Sequence, residues 1–359
     1  MREVDKFTSD GQEDNILSLL KEKGDELARV SNRGIILQPG AIGDCILTLP
    51  LVEFMKECLG LGGIDILGHT EYIGILPGRA CVDGIRSIDS IDLHRLFTER
   101  KTFDLADGDP LINTFSDYTW IVTFLGEPDS DFEQNLIFTA HCSRSAEVIT
   151  LSQKPPEKLS THITDFYIEQ FVAQSNLSLR PWRVRRGDCL IKATKADVNR
   201  GREVLEDIDV DFSEKLVVIH PGSGGVPKRC HLDNFLSVAR ELVSNDIKAL
   251  FLLGPAEQEQ FSDEAIKNIT GVAKCLTDLS LTEVLGLLSC ADGFVGNDSG
   301  ITHLAAALGV STLAVFGPTN PDVYRPIGPS VTVFTGHPVA FAKEPSEELQ
   351  QELLKVLLA

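Results

Sequence analysis

Apolar residues recur along the chain in short blocks of two kinds. Near-continuous runs of Val, Ile and Leu read as strands buried on both faces of a parallel sheet, and runs with helical spacing read as the covering helices. The first strand is expected at Gly34–Gln38, with a helix from about Cys45 to Leu59 behind it. Pro50 is expected to cap or kink that helix in its first turns. IDILGH (64–69) and TWIVTFLG (119–126) read as strands, and SIDSIDL lies near another. Residues 127–160 show no clear period. The pattern then restarts after the polar stretch NLSLRPWRVRRGD. KADVNRGREVLEDI reads as a helix, LVVIHPG (216–222) as a strand, NFLSVARELVSN as a helix, IKALFLLG (247–254) as a strand and LTEVLGLLSCA as a helix. The apolar run Ala291–Val295, a helix Ile301–Leu308 and a strand Ser311–Phe316 close a βαβ unit.

This alternation predicts an α/β protein of two doubly wound, parallel-sheet domains. Their expected limits are 34–180 and 186–340. Residues 12–30 carry helix-like spacing at Ile16, Leu19, Leu20, Leu27 and Val30, so 1–33 reads as a helical extension packed outside. The amphipathic tail 345–359 is expected to cross back onto the first domain.

Composition narrows the classes. The 359 residues carry a formal net charge of −20. That disfavours nucleic acid or an anionic lipid surface as partner unless a local basic patch overrides it. One such patch exists, Arg180, Arg183, Arg185 and Arg186, readable as a solvated linker or as a contact to a phosphate-bearing acceptor. No apolar run is long enough to span a membrane, and the polar, acidic N-terminus is unlike a signal peptide. Eight Cys without a CxxC pair fit reduced thiols in the cytoplasm rather than a zinc site. The triplets Asp107-Gly-Asp109 and Asp209-Val-Asp211 are expected by chance in so acidic a chain, and no metal site is read from them.

Candidate chemistry gathers where strands end and helices begin, as it does in open α/β sheets. In GNDSG (296–300), unpaired N–H groups at a helix start can bind phosphate. Gly300 lets a ligand come close to the backbone, and Ser299 can donate its hydroxyl. Asp298 or Ser299 can equally be an N-cap. His303 lies about one turn on. HPGSGGVPKRC (220–230) joins a Gly-rich turn to Lys228, suited to a diphosphate, without the spacing of a P-loop or a dinucleotide fingerprint. PGAIGD (39–44) allows a tight turn at Gly40 and Gly43. It sets Asp44 at a helix start, as a cap or as a base for an attacking hydroxyl. Glu257 follows another strand end.

GNDSGITHLAAALGVSTLAVFGPTNP resembles the signature of glycosyltransferase family 9, the ADP-heptose:lipopolysaccharide heptosyltransferases. PGAIGDCILTLP is similar to that family's N-terminal motif, HPGSGGVPKRCHLDNF to its lysine-bearing loop and LGPAEQEQ to its GxxxE element. The four motifs stand in the family's order and cover both domains. The resemblance implies a GT-B fold and inverting, metal-independent sugar transfer without a cofactor. It implies Asp44 as the base. Ser223 and Lys228 would hold the donor diphosphate, Glu257 the nucleoside or sugar, and Asp298, Ser299, Gly300 and His303 would complete the nucleotide-sugar site. ADP-heptose is the implied donor. The acceptor would be lipopolysaccharide core, another glycan or a protein, with the enzyme cytoplasmic or peripheral at the inner membrane face. Cys230 stands where the family commonly has an aromatic residue, and residues 60–180 match poorly. A rival reading is a non-catalytic nucleotide-sugar-binding protein with a degenerate acceptor domain. A nicotinamide-linked oxidoreductase is disfavoured by the missing fingerprint.

Overall fold

The computed structural model describes residues 32–143, 145–157, 159–178, 182, 184–211, 213–336 and 341–358. The expected N-terminal helix, together with Arg180 and Arg183, lies outside them. Two parallel sheets form. The first joins β1 (Arg33–Gln38), β2 (Gly63–Gly68), β3 (Gly84–Ser87), β4 (Trp120–Thr123) and β5 (Glu147–Thr150) in the order β3-β2-β1-β4-β5. The second joins β6 (Leu216–His220), β7 (Lys248–Leu252), β8 (Lys274–Leu276), β9 (Gly293–Asn297), β10 (Ser311–Phe316) and β11 (Val331–Thr335) in the order β11-β10-β9-β6-β7-β8. All the pairings are parallel.

The Val/Ile/Leu runs form the buried centres of both sheets: Ile35, Ile36 and Leu37 in β1, and Val217, Val218 and Ile219 in β6. Helix α1 (Ile42–Leu59) begins three residues earlier than its sequence pattern suggests and runs through Pro50 without ending there. Residues 127–160, irregular by pattern, hold a helix (Asp131–His141) and β5. The helix is announced by Ser130, whose side chain caps it, and by a tight turn with positive φ at Gly126 and Asp129. The later helices are α2 (Ile163–Ser175), α3 (Lys195–Glu206), α4 (Leu232–Ser244), α5 (Leu281–Ser289), α6 (Gly300–Ala307) and α7 (Glu347–Leu357).

The expected return of the tail to the first domain is corrected. Helix α7 lies on the second domain, burying Leu349, Leu353 and Leu357 in the core that also holds Phe235 and Leu242 of α4. Asn234 on α4 fixes its start, accepting from Ser346 N at 2.7 Å and Gln350 Nε2 at 3.0 Å. Among the described residues no helix is long and apolar enough to cross a membrane.

In each sheet the strand order reverses once, between β1 and β4 and between β6 and β9. Crevices at such reversals are where open α/β sheets bind ligands. The turns leaving β1, β6 and β9 all open there, and the two domains bring them face to face.

Candidate active site between the domains

The turn after β1 is built by a buried amide. Gln38 donates to Thr48 Oγ1 at 2.7 Å and accepts from Gly40 N at 2.9 Å. Asp44 enters in the first turn of α1, where its Oδ2 accepts from Ala41 N at 3.1 Å. It is thus a helix cap, but it also faces the interdomain cavity. Gly40 makes room for it, since a Cβ there would stand 2.6 Å from Asp44 Cβ. Burial pushes the Asp44 carboxyl above its ordinary range, outweighing the Ala41 N–H and the charges of His303 and Lys228.

The loops after β6 and β9 are tied by Asn297, which is fully buried. Its Oδ1 accepts from Cys230 N at 3.0 Å and its Nδ2 donates to Pro221 O at 2.7 Å. Ser223 donates to the backbone carbonyl of Asp298 at 2.7 Å. Lys228 Nζ lies 2.8 Å from Asp298 Oδ2. Burial would raise the Asp298 carboxyl, but the adjacent His303 and Lys228 prevail and hold it at about 2. Of the two candidate caps, Ser299 is the one, accepting from Thr302 N at 3.3 Å. His303 is 4 % exposed, with Nε2 at 3.9 Å from Asp298 Oδ1, beyond hydrogen-bond reach. Its Nδ1 is buried without a hydrogen-bond partner among the described residues.

These side chains surround one cavity of about 360 Å³, within the range of small-ligand sites. The first domain contributes Ala41, Gly43, Asp44 and Leu47. The second contributes Ser223, Gly224, Gly225, Lys228, Asp298, Ser299, Gly300, His303, Thr319 and Tyr324. Most of the residues read from sequence therefore meet. Glu257 does not line the cavity. It is 5 % exposed, caps its own helical turn by accepting from Gly254 N at 2.9 Å, and fills the space over Gly222. Gly300 lines the wall, but the space a side chain there would take is occupied by Ile42 of the first domain rather than left open for a ligand.

Four residues escaped the sequence reading. Thr319 sits in the turn that leaves β10, after Gly317 and Pro318, and a polar residue in the turn after a buried strand was the available signal. Asn297 stood in the polar cluster without its role being visible. Nothing local marks Tyr324, which reaches the cavity from a single helical turn (Pro321–Tyr324). His162 is 2 % exposed and joins the domains, with Nε2 donating to Arg325 O at 2.9 Å while Nδ1 accepts from Thr164 N at 3.3 Å. That pattern needs the neutral ring, and burial pushes its pKa down to about 4. The described half of the basic patch is engaged by the first domain: Arg185 by Glu53 at 2.8 Å and Glu57 at 3.2 Å, and Arg186 by Asp165. Asp109 is held by Arg95 at 2.8 Å.

Residues 188–353 match the family described as glycosyltransferase family 9 (heptosyltransferase). A curated relative, lipopolysaccharide heptosyltransferase 2 of Salmonella typhimurium, is 25% identical over 170 residues, 44% of this chain and 49% of the relative. The match thus spans about half the length of that relative. Two solved structures superpose on nearly all of the chain. The glycosyl transferase family 9 protein of Veillonella parvula does so with TM-score 0.68 and 16% identity, covering 91% of this chain and 98% of its own. The ADP-heptose lps heptosyltransferase II of E. coli does so with TM-score 0.66 and 14% identity, over the same shares. At these identities the two structures establish the fold, which is GT-B.

Proposed function

We propose that this chain, which belongs to glycosyltransferase family 9, moves a sugar from a nucleotide-diphospho-sugar to a hydroxyl acceptor with inversion and without metal. The observation that carries the reading is the meeting of Asp44 from one domain with Lys228, Asp298 and His303 from the other around a single cavity. In the proposed step the acceptor oxygen attacks the anomeric carbon from the face opposite the diphosphate. As that bond forms, the bond from the anomeric carbon to the diphosphate oxygen breaks. The acceptor proton passes to Asp44, whose raised pKa makes it a stronger base than an exposed aspartate. Charge gathering on the leaving diphosphate is met by Lys228 and by the positive end of α6. These supply the stabilisation that a metal provides in other designs.

The names of the relatives support ADP-heptose as donor and lipopolysaccharide as acceptor. Titration calorimetry with ADP, UDP, GDP and ADP-heptose, with and without EDTA, tests the donor half. ADP-type ligands are expected to bind regardless of EDTA. Lys228→Ala should weaken them at least about tenfold, the scale of a lost charged hydrogen bond. A preference for UDP or GDP would remove ADP-heptose, and dependence on a divalent cation would remove the metal-free step.

A further inference from the structure

We infer that Gly300 is an interdomain positioning residue, whose missing side chain forms the seat for Ile42 and so sets Asp44 against Lys228 across the cavity. The kinetic side of this inference rests on the transfer reading above. Its structural side does not.

Helices α1 and α6 meet start to start. A Cβ on Gly300 would stand 2.1 Å from Ile42 Cγ2 and 3.2 Å from Gly43 N. From the other side, a Cβ on Gly43 would stand 3.5 Å from Gly300 Cα and 3.5 Å from His303 Cδ2. The clashing carbon is not the tip of a flexible chain. It hangs from the branched Cβ of a residue 8 % exposed in the first turn of α1, where χ1 is stiff. Ordinary carbon contact would be regained only by parting the helices about 1.5 Å. Asp44 follows Ile42 by two residues, and Asp298, which holds Lys228, precedes Gly300 by two. Parting the helices therefore parts the proposed base from the donor-side cation. Two helix starts of like partial charge also repel each other. Close fit, helped by the nearby carboxylates of Asp44 and Asp298, holds them together.

The test uses the full chain carrying Gly300→Ala, with Ile42→Ala added as the compensating change. Amide hydrogen exchange in segments 41–47 and 299–305 reads the seat directly. Gly300→Ala is expected to speed exchange in both segments about tenfold or more, as local opening becomes easier. Transfer should slow about 100-fold, the cost of roughly an ångström of misplacement. Adding Ile42→Ala should restore both exchange protection and transfer. Ile42→Phe over the native glycine offers the same clash from the other domain and should also speed exchange. Unchanged exchange in Gly300→Ala, or an increase that Ile42→Ala does not reverse, would overturn the inference. If the native chain transfers no sugar at all, the transfer reading fails alone and the exchange result still decides the seat.

Discussion

Asp298 is buried and yet ionised, because Lys228 and His303 stand beside it. Its folded pKa of about 2 lies below the ordinary value of 3.8. A depressed carboxyl contributes stability that is complete above the unfolded value and is lost as pH falls through the folded one. The contribution at neutral pH is at most roughly 2 kcal/mol, reduced by solvent around the half-exposed lysine. Asp298→Asn should therefore be less stable than the native chain at pH 7, with the gap closing between pH 4 and 2 in denaturant melts. A gap independent of pH would show that its charge does not matter to the fold. The residues legible from sequence, Asp44, Lys228, Asp298, Ser299 and His303, share one property: each lies in a turn that leaves a strand or in a helix's first turns, where position can be read locally. Tyr324 and His162 could not be found that way. Their places depend on how one domain lies against the other. Glu257 had the right local position, but its carboxylate turned back to its own helix start.

Elements were legible where a strand is buried on both faces, as β1, β6 and β10 are, because burial writes a continuous apolar run. They were not where a strand is short or at an edge. β8 has three residues, and β11 at the sheet margin buries only Phe334, so neither leaves a run to read. The pairing of α3 with α5 was invisible for another reason: it depends on two glycines far apart in sequence. A Cβ on Gly201 would stand 2.1 Å from Gly286 O, and one on Gly286 2.6 Å from Asp197 O. Gly201→Ala should thus cost about 1–3 kcal/mol in denaturant unfolding by forcing these helices apart. A loss under about 0.5 kcal/mol, the level of an ordinary surface change, would mean the two helices have slack.

At the scale of the molecule, the two domains are joined by more than their linker. Arg79 of the first clasps Asp197 of the second through two hydrogen bonds of 2.7 Å, and Asp197 is 2 % exposed. With the His162 contact and the Ile42 seat, this clasp fixes which loops face each other. The two-domain plan was legible in the repeated strand and helix pattern. The destination of α7 was not, because an amphipathic period states that a face is buried without stating against what. On the proposed reading, this facing of domains makes Asp44 the base of a sugar transfer. That reading is tested most directly by incubating the native chain and Asp44→Asn with ADP-heptose and lipopolysaccharide core in EDTA, following ADP release, with ADP affinity measured on both. The account predicts transfer by the native chain, a loss of about 10²–10⁴-fold in the variant, and nearly equal ADP affinities. Transfer by Asp44→Asn at the native rate would contradict it.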